Sequence, residues 1–186
     1  MMNRYVLLLV VALIFVSAGC KMLFGPDKTG EFRLSSEKTL SGDTFHQFGY
    51  SYEDSEFYRF PYEKDPLPDI INEGFRVLDG SEVIELPGFN TPGRSNGFAL
   101  VGEFSNLSDA RDFYDDYMRV EDGLQFAVES DIVEEFQVWI QMTSIGNYVK
   151  LLVKEAESLE GEEGSKYSEV LLDYTYQSNG SKDFPD

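Results

Sequence analysis

Along most of this chain large apolar residues recur at every second position, the period of a strand with one buried face. Within 45–62, Phe48, Tyr50 and Tyr52 alternate with polar or small neighbours, as do Tyr58, Phe60 and Tyr62, and Glu53-Asp54-Ser55-Glu56 lies between the two sets. That pattern predicts a β-hairpin. Asp69-Ile70-Ile71 predicts a short buried strand, and 77–80 with 82–86 predicts two strands around a turn. Residues 87–93 are rich in Pro, Gly and Asn and predict a long loop, after which Phe98 to Phe104 resumes as a strand.

The second half is more regular. Phe126 and Val128 alternate with polar neighbours, and Phe136, Val138, Ile140 and Met142 oppose Gln137, Trp139, Gln141 and Thr143. After a Gly146-Asn147 turn, Val149, Leu151 and Val153 oppose Tyr148, Lys150, Leu152 and Lys154. The acidic, Gly-bearing stretch 157–164 predicts a mobile hairpin tip, and Val170, Leu172, Tyr174 and Tyr176 form the next alternating set. Short turns between such strands predict an antiparallel meander. One stretch changes period: Leu107, Ala110, Phe113, Tyr114, Tyr117 and Met118 recur at spacings of three and four. They predict a helix at about 106–119, capped by Asn106 or Ser108, with Arg119 suited to its negative end. The expected fold is all-β, an antiparallel β-sandwich or meander with one flanking helix.

The first twenty residues follow a different rule. Arg4 precedes an uncharged apolar run from Tyr5 to Val16, then Ser17-Ala18-Gly19 and Cys20. That run is shorter than the roughly 20 residues a spanning helix needs, so it reads as a removable export signal. Its end resembles the signal of bacterial lipoproteins, with Ser17, Ala18 and Gly19 before the cleavage point. That resemblance implies acylation of Cys20 and a cell-envelope location, at the outer membrane where the host has two membranes. The expected organisation is a signal over 1–19, a lipidated flexible tether over 20–44, an all-β domain over 45–181 and a short tail over 182–186.

Charge and composition narrow the functions. Asp and Glu number 34 against 15 Lys and Arg, a formal net charge of −19. A surface that negative repels nucleic acid, which needs clustered cations. Cys20 is the sole cysteine, so its use as an anchor leaves no thiolate chemistry. His46 is the sole histidine, which makes a Ser–His or zinc constellation a poor fit. Asp112, Asp115 and Asp116 lie on the polar helix face and lack the spacing of a calcium loop. No enzyme activity is expected. The aromatic residues leave two readings open: Tyr50, Tyr52, Tyr58 and Trp139 could form a stacking surface for a ligand, or pack as core. Trp139 becomes core if both faces of its strand are covered.

The C-terminal meander also resembles a segment of bacterial haem-binding lipoproteins of the HmuY type. The residues that carry it are Thr143, Gly146, Tyr148, Lys150 and Val153, then Tyr174, Tyr176, Gln177, Asn179, Gly180 and Ser181, with Phe45, Phe48 and Pro68-Asp69-Ile70 further upstream. The resemblance implies an all-β lipoprotein. It does not carry haem binding with it, because those proteins hold iron through paired His or Met side chains. Here only His46 paired with Met118 or Met142 could serve. The expected function is a non-catalytic membrane-anchored protein without a resident cofactor, binding a small ligand, a glycan or an envelope protein. A purely structural envelope role and haem binding through His46 are the alternatives.

Overall fold

A computed structural model describes residues 29–92, 97–161 and 164–185. The signal peptide and Cys20 lie outside the described residues. The body is built on a five-stranded antiparallel sheet in the order β1-β13-β12-β11-β9. Its strands are β1 (Thr29–Ser35), β9 (Phe98–Glu103), β11 (Gln137–Met142), β12 (Tyr148–Glu160) and β13 (Lys166–Gln177). The expected meander is β11–β12–β13, and β1 pairs with β13 from Thr29↔Thr175 to Ser35↔Glu169.

Strand alternation sends side chains to two different layers. One face carries Phe32, Leu34, Trp139, Val149, Leu151, Val153, Val170, Leu172, Tyr174 and Tyr176 into the main core. Three smaller sheets lie on that side: β2 (Thr39–Ser41), β3 (Thr44–Ser51) and β4 (Glu56–Phe60); β5 (Ile71–Asn72), β8 (Gly88–Asn90) and β10 (Glu129–Ile132); and the hairpin of β6 (Phe75–Asp79) and β7 (Glu82–Leu86). They contribute Tyr50, Tyr52, Ile70 and Phe89 to the same core. The opposite face, through Val138, Ile140 and Leu152, meets the helix α1 (Leu107–Asp116) and the chain's C-terminal end. Both faces of the central strands are therefore covered, which is why β11 and the first half of β12 are almost wholly buried.

Several boundaries differ from the sequence reading. The described part of the expected tether, from Thr29 onward, is folded: β1 and β2 belong to the body. Phe32 and Leu34 form a two-residue apolar alternation too short to stand out by itself, yet both are buried beside β13. The tail is docked as well: Val120 N donates to Lys182 O and Phe184 N to Met118 O, each at 2.8 Å, and Phe184 is buried. The expected loop over 87–93 contains β8. The strand expected around 126–128 forms instead at β10, while Ala127 makes only an isolated bridge to Phe98. Within the stretch 157–164, expected as a hairpin tip, residues up to Glu160 are strand: β12 pairs with β13 out to Glu160↔Lys166, past a register shift between Val153 and Glu155. Helix α1 starts at its Asn106 cap as expected and stops at Asp116, ahead of Arg119, which pairs with Asp183.

Candidate functional site

The aromatic residues that could have formed a stacking surface are mostly core. Tyr52 is 0% exposed, Trp139 4% and Tyr50 6%. Tyr50 stacks on Phe32 with ring centroids 4.2 Å apart, and Trp139 meets Phe89 edge-on at 6.0 Å. Tyr52 donates to Gln141 Oε1 at 2.7 Å, and its burial drives its hydroxyl pKa well above the ordinary value. Tyr58 is half-buried and donates to Asp54 at 3.1 Å. These four residues do not make a shared ligand platform.

The proposed His–Met pairing is not brought together either. His46 is buried in β3 with its ring edge-on to Phe48, and it lines a recess with Lys38, Phe45, Gln47, Phe60, Pro61, Ile71 and Glu73. Met118 lines a separate recess with Thr29, Gly30, Lys150 and Pro185. Thr29 and Lys38 flank the two ends of β1, whose seven residues span about 20 Å. Axial haem ligands must reach one iron atom, so His46 and Met118 cannot share it in this fold. Met142 pairs with Tyr148 at the Thr29 end of the sheet, and the same reason separates it from His46.

The end of the molecule away from Thr29 carries the more developed surface. Two recesses meet there, joined through Lys38 and Glu73, which line both. The first, about 310 Å³, is mostly apolar. Phe45 and Gln47 lie on one face of β3, and Gln47 pairs with Phe60 of β4, so Phe60 stands on that face too. Gln47 is 4% exposed and its Oε1 has no hydrogen-bond partner among the described residues. The second, about 550 Å³, is lined by Ser36, Glu37, Lys38, Glu73, Gly74, Arg76, Glu85, Ser165, Lys166 and Tyr167.

Glu85 is the fixed point of the second recess. It is buried, accepts from Ser36 Oγ, and faces Arg76 Nε at 3.4 Å. Ser36 Oγ in turn accepts from Ser168 N at 2.9 Å, while Asn72 Nδ2 donates to Ser168 O at 2.9 Å and Asn72 Oδ1 accepts from Gly88 N at 3.1 Å. This network ties β1, β5, β8 and β13 together beneath the recess and holds the carboxylate in one place. Gly74, at φ +74°, leaves room for it: a Cβ there would lie 2.3 Å from Glu85 Oε1. Sequence reading passed over Glu85, Lys38 and Glu73 because single charged residues in a chain with 34 acids carry no positional signal. Gln47 carried a faint one, as a polar residue among aromatic neighbours.

Two hairpins stand at this end. Each has a two-residue turn opened by a glycine at φ +64°, Gly42 and Gly80. The second pair in from each turn, after Ser41–Thr44 and Asp79–Glu82, is apolar and exposed: Leu40 with Phe45 and Leu78 with Val83.

At the opposite end, the recess of about 520 Å³ beside Met118 is dominated by Lys150. Its amine is enclosed by α1, and burial lowers its pKa to about 8. Arg111 forms an ion pair with Asp173, and Tyr114 donates or accepts with Thr175 Oγ1 at 2.8 Å. Most polar groups at this end are thus engaged within the protein. Among the described residues no group of three or more His, Cys, Asp or Glu is arranged to hold a metal, and no helix is long and apolar enough to cross a membrane. No protein-family model matches the chain, and no curated protein matches it.

Proposed function

We propose that the protein is a non-catalytic, lipid-anchored binding protein of the bacterial cell envelope, tethered through Cys20 and presenting the paired recesses at its far end to a ligand. In a two-membrane host the anchor places it at the outer membrane. The observation that carries the reading is the polarity of β1: Thr29 is at one end of the main sheet, and Ser36 and Lys38 enter the cleft at the other. The stretch 21–28 reaches at most about 30 Å when fully extended. A lipid on Cys20 would therefore hold the Thr29 end near the bilayer and leave the cleft facing outward. The apolar recess with a few fixed polar groups is of a size used for small-ligand binding.

The anchor is tested by expressing the full chain in a bacterial host and following it by membrane fractionation and mass spectrometry. Wild-type protein is expected in the membrane fraction, starting at a diacylglycerol-modified Cys20. Cys20→Ser is expected to leave the signal uncleaved at that point and the residue unmodified. An unmodified Cys20 in the wild-type protein would remove the basis for the proposed placement.

A further inference from the structure

The chemistry of the cleft narrows what it can bind. We propose that it takes a neutral, hydroxyl-rich ligand, a saccharide of two or more rings, with one ring against Phe45 and Phe60 and hydroxyl groups meeting Gln47, Glu85 and Arg76. This rests on the reading of the cleft as a ligand site. Three observations carry it. First, Gln47 Oε1 is a buried acceptor without a partner among the described residues, on the same strand face as Phe45 and Phe60. An unpaired buried acceptor is costly, and a ligand donor would relieve it. Second, Glu85 offers a carboxylate held in place by the Ser36–Ser168–Asn72 network, with Arg76 beside it and 75% exposed. Third, aromatic and proline surfaces at Phe45, Phe60 and Pro61 adjoin this polar half through Lys38 and Glu73.

Charged ligands fit less well. An anion would approach Gln47 Oε1, Glu73 and Glu85 against a protein of net charge −19. A cation would meet Lys38, Arg76 and Lys166. Across the second recess the formal charges of Lys38, Arg76 and Lys166 cancel those of Glu37, Glu73 and Glu85. A hydroxyl both donates and accepts, so a polyol can satisfy a carboxylate and a guanidinium side by side without carrying charge into the site. The faces of sugar rings carry C–H groups that pack on aromatic carbon, which suits Phe45 and Phe60.

The test is saturation-transfer NMR on the full chain in detergent, using neutral di- to tetrasaccharides built from glucose, mannose or N-acetylglucosamine. Parallel samples contain a sulfated disaccharide and spermidine. Phe45→Ala and Arg76→Ala alter exposed side chains and leave the core intact, which a thermal melt of each variant verifies. The expected result is transfer from at least one neutral saccharide, with affinity reduced tenfold or more in each variant. If none of the neutral saccharides binds while the anion or the polyamine does so in a Phe45-dependent way, the saccharide class is overturned and the cleft remains a ligand site. If nothing in the set binds, or binding is unaffected by both variants, the saccharide assignment and the cleft both fall. The lipid anchor is judged separately by the mass of the N-terminus.

Discussion

Lys150 reaches from near the start of β12 to the end of α1 and donates to the Tyr117 carbonyl at 2.9 Å, and to the Tyr114 carbonyl as well. Its Nζ lies 4.4 Å from the centroid of the Tyr114 ring and 5.3 Å from that of Phe184. The last carbonyls of a helix have no partner within it and carry partial negative charge. A strand lysine thus does what a basic residue in the last turn does elsewhere, and α1 has no basic residue there. The same contact fixes the C-terminal segment through Phe184.

Lys150 makes stability depend on pH. Its folded pKa is about 8 against an ordinary 10.5, because burial disfavours the ammonium. Between those values the unfolded chain holds the proton and the folded one releases it, so stability rises with pH there. The contribution is complete above the unfolded value and is lost as pH falls through about 8. Denaturant midpoints of wild type and Lys150→Met at pH 7, 8, 9 and 10 should separate progressively in favour of wild type, by at most about 3 kcal/mol. A constant difference across that range would show that Lys150 titrates alike in both states.

Tyr52 and Gln141 form a buried pair whose other end is the backbone: Gln141 Nε2 donates to Asp69 O at 2.6 Å. Tyr52→Phe keeps the ring and strands the Gln141 oxygen. Urea unfolding should show a loss of about 1–3 kcal/mol. A loss below that range would mean that water or a shifted side chain satisfies the amide.

Trp139 is the protein's only tryptophan and its Nε1 donates to Gln137 Oε1 at 3.1 Å. Its emission should be blue-shifted, poorly quenched by acrylamide, and unchanged by a ligand in the cleft. Trp139→Ala should cost about 3–5 kcal/mol in stability. Strong quenching in the native state would place the indole at the surface and contradict its assignment to the core.

Gly49 allows β3 to lie close on β5. A Cβ at this position would be 2.6 Å from the Ile70 carbonyl oxygen, which already accepts from Tyr50 N at 2.9 Å. Ile71 Cγ2 and Pro68 Cγ would stand equally near, at 2.6 Å, which leaves little room to yield. Gly49→Ala should destabilise by about 1–3 kcal/mol in thermal or urea unfolding.

The strands were most legible where both residue type and period agreed. From Phe136 onward long alternating runs with β-branched and aromatic residues marked β11, β12 and β13, and spacing of three and four marked α1. Short strands were harder to read. β1 offers only Phe32 and Leu34, and β8 only Phe89, so their positions depend on what they pair with rather than on their own pattern. The aromatic residues of 48–62 were visible as a set, but their fates divide: Phe48 is 47% exposed while Tyr52, on the same parity, is sealed. Alternation tells which side chains share a face, and the depth of the layer above decides which of them see water.

The amino-acid order by itself determined the β-rich body with one helix, the alternation that gives its central strands two sides, and the formal net charge of −19. Each follows from local period or composition, which no distant residue can change. Only the tertiary structure decided that His46 and Met118 lie at opposite ends, that Lys150 serves a helix 33 residues away, and that Gln47 and Glu85 border adjoining recesses. Those relations depend on strand order and register between segments far apart in the chain. They exist only once the hydrophobic faces have chosen their partners.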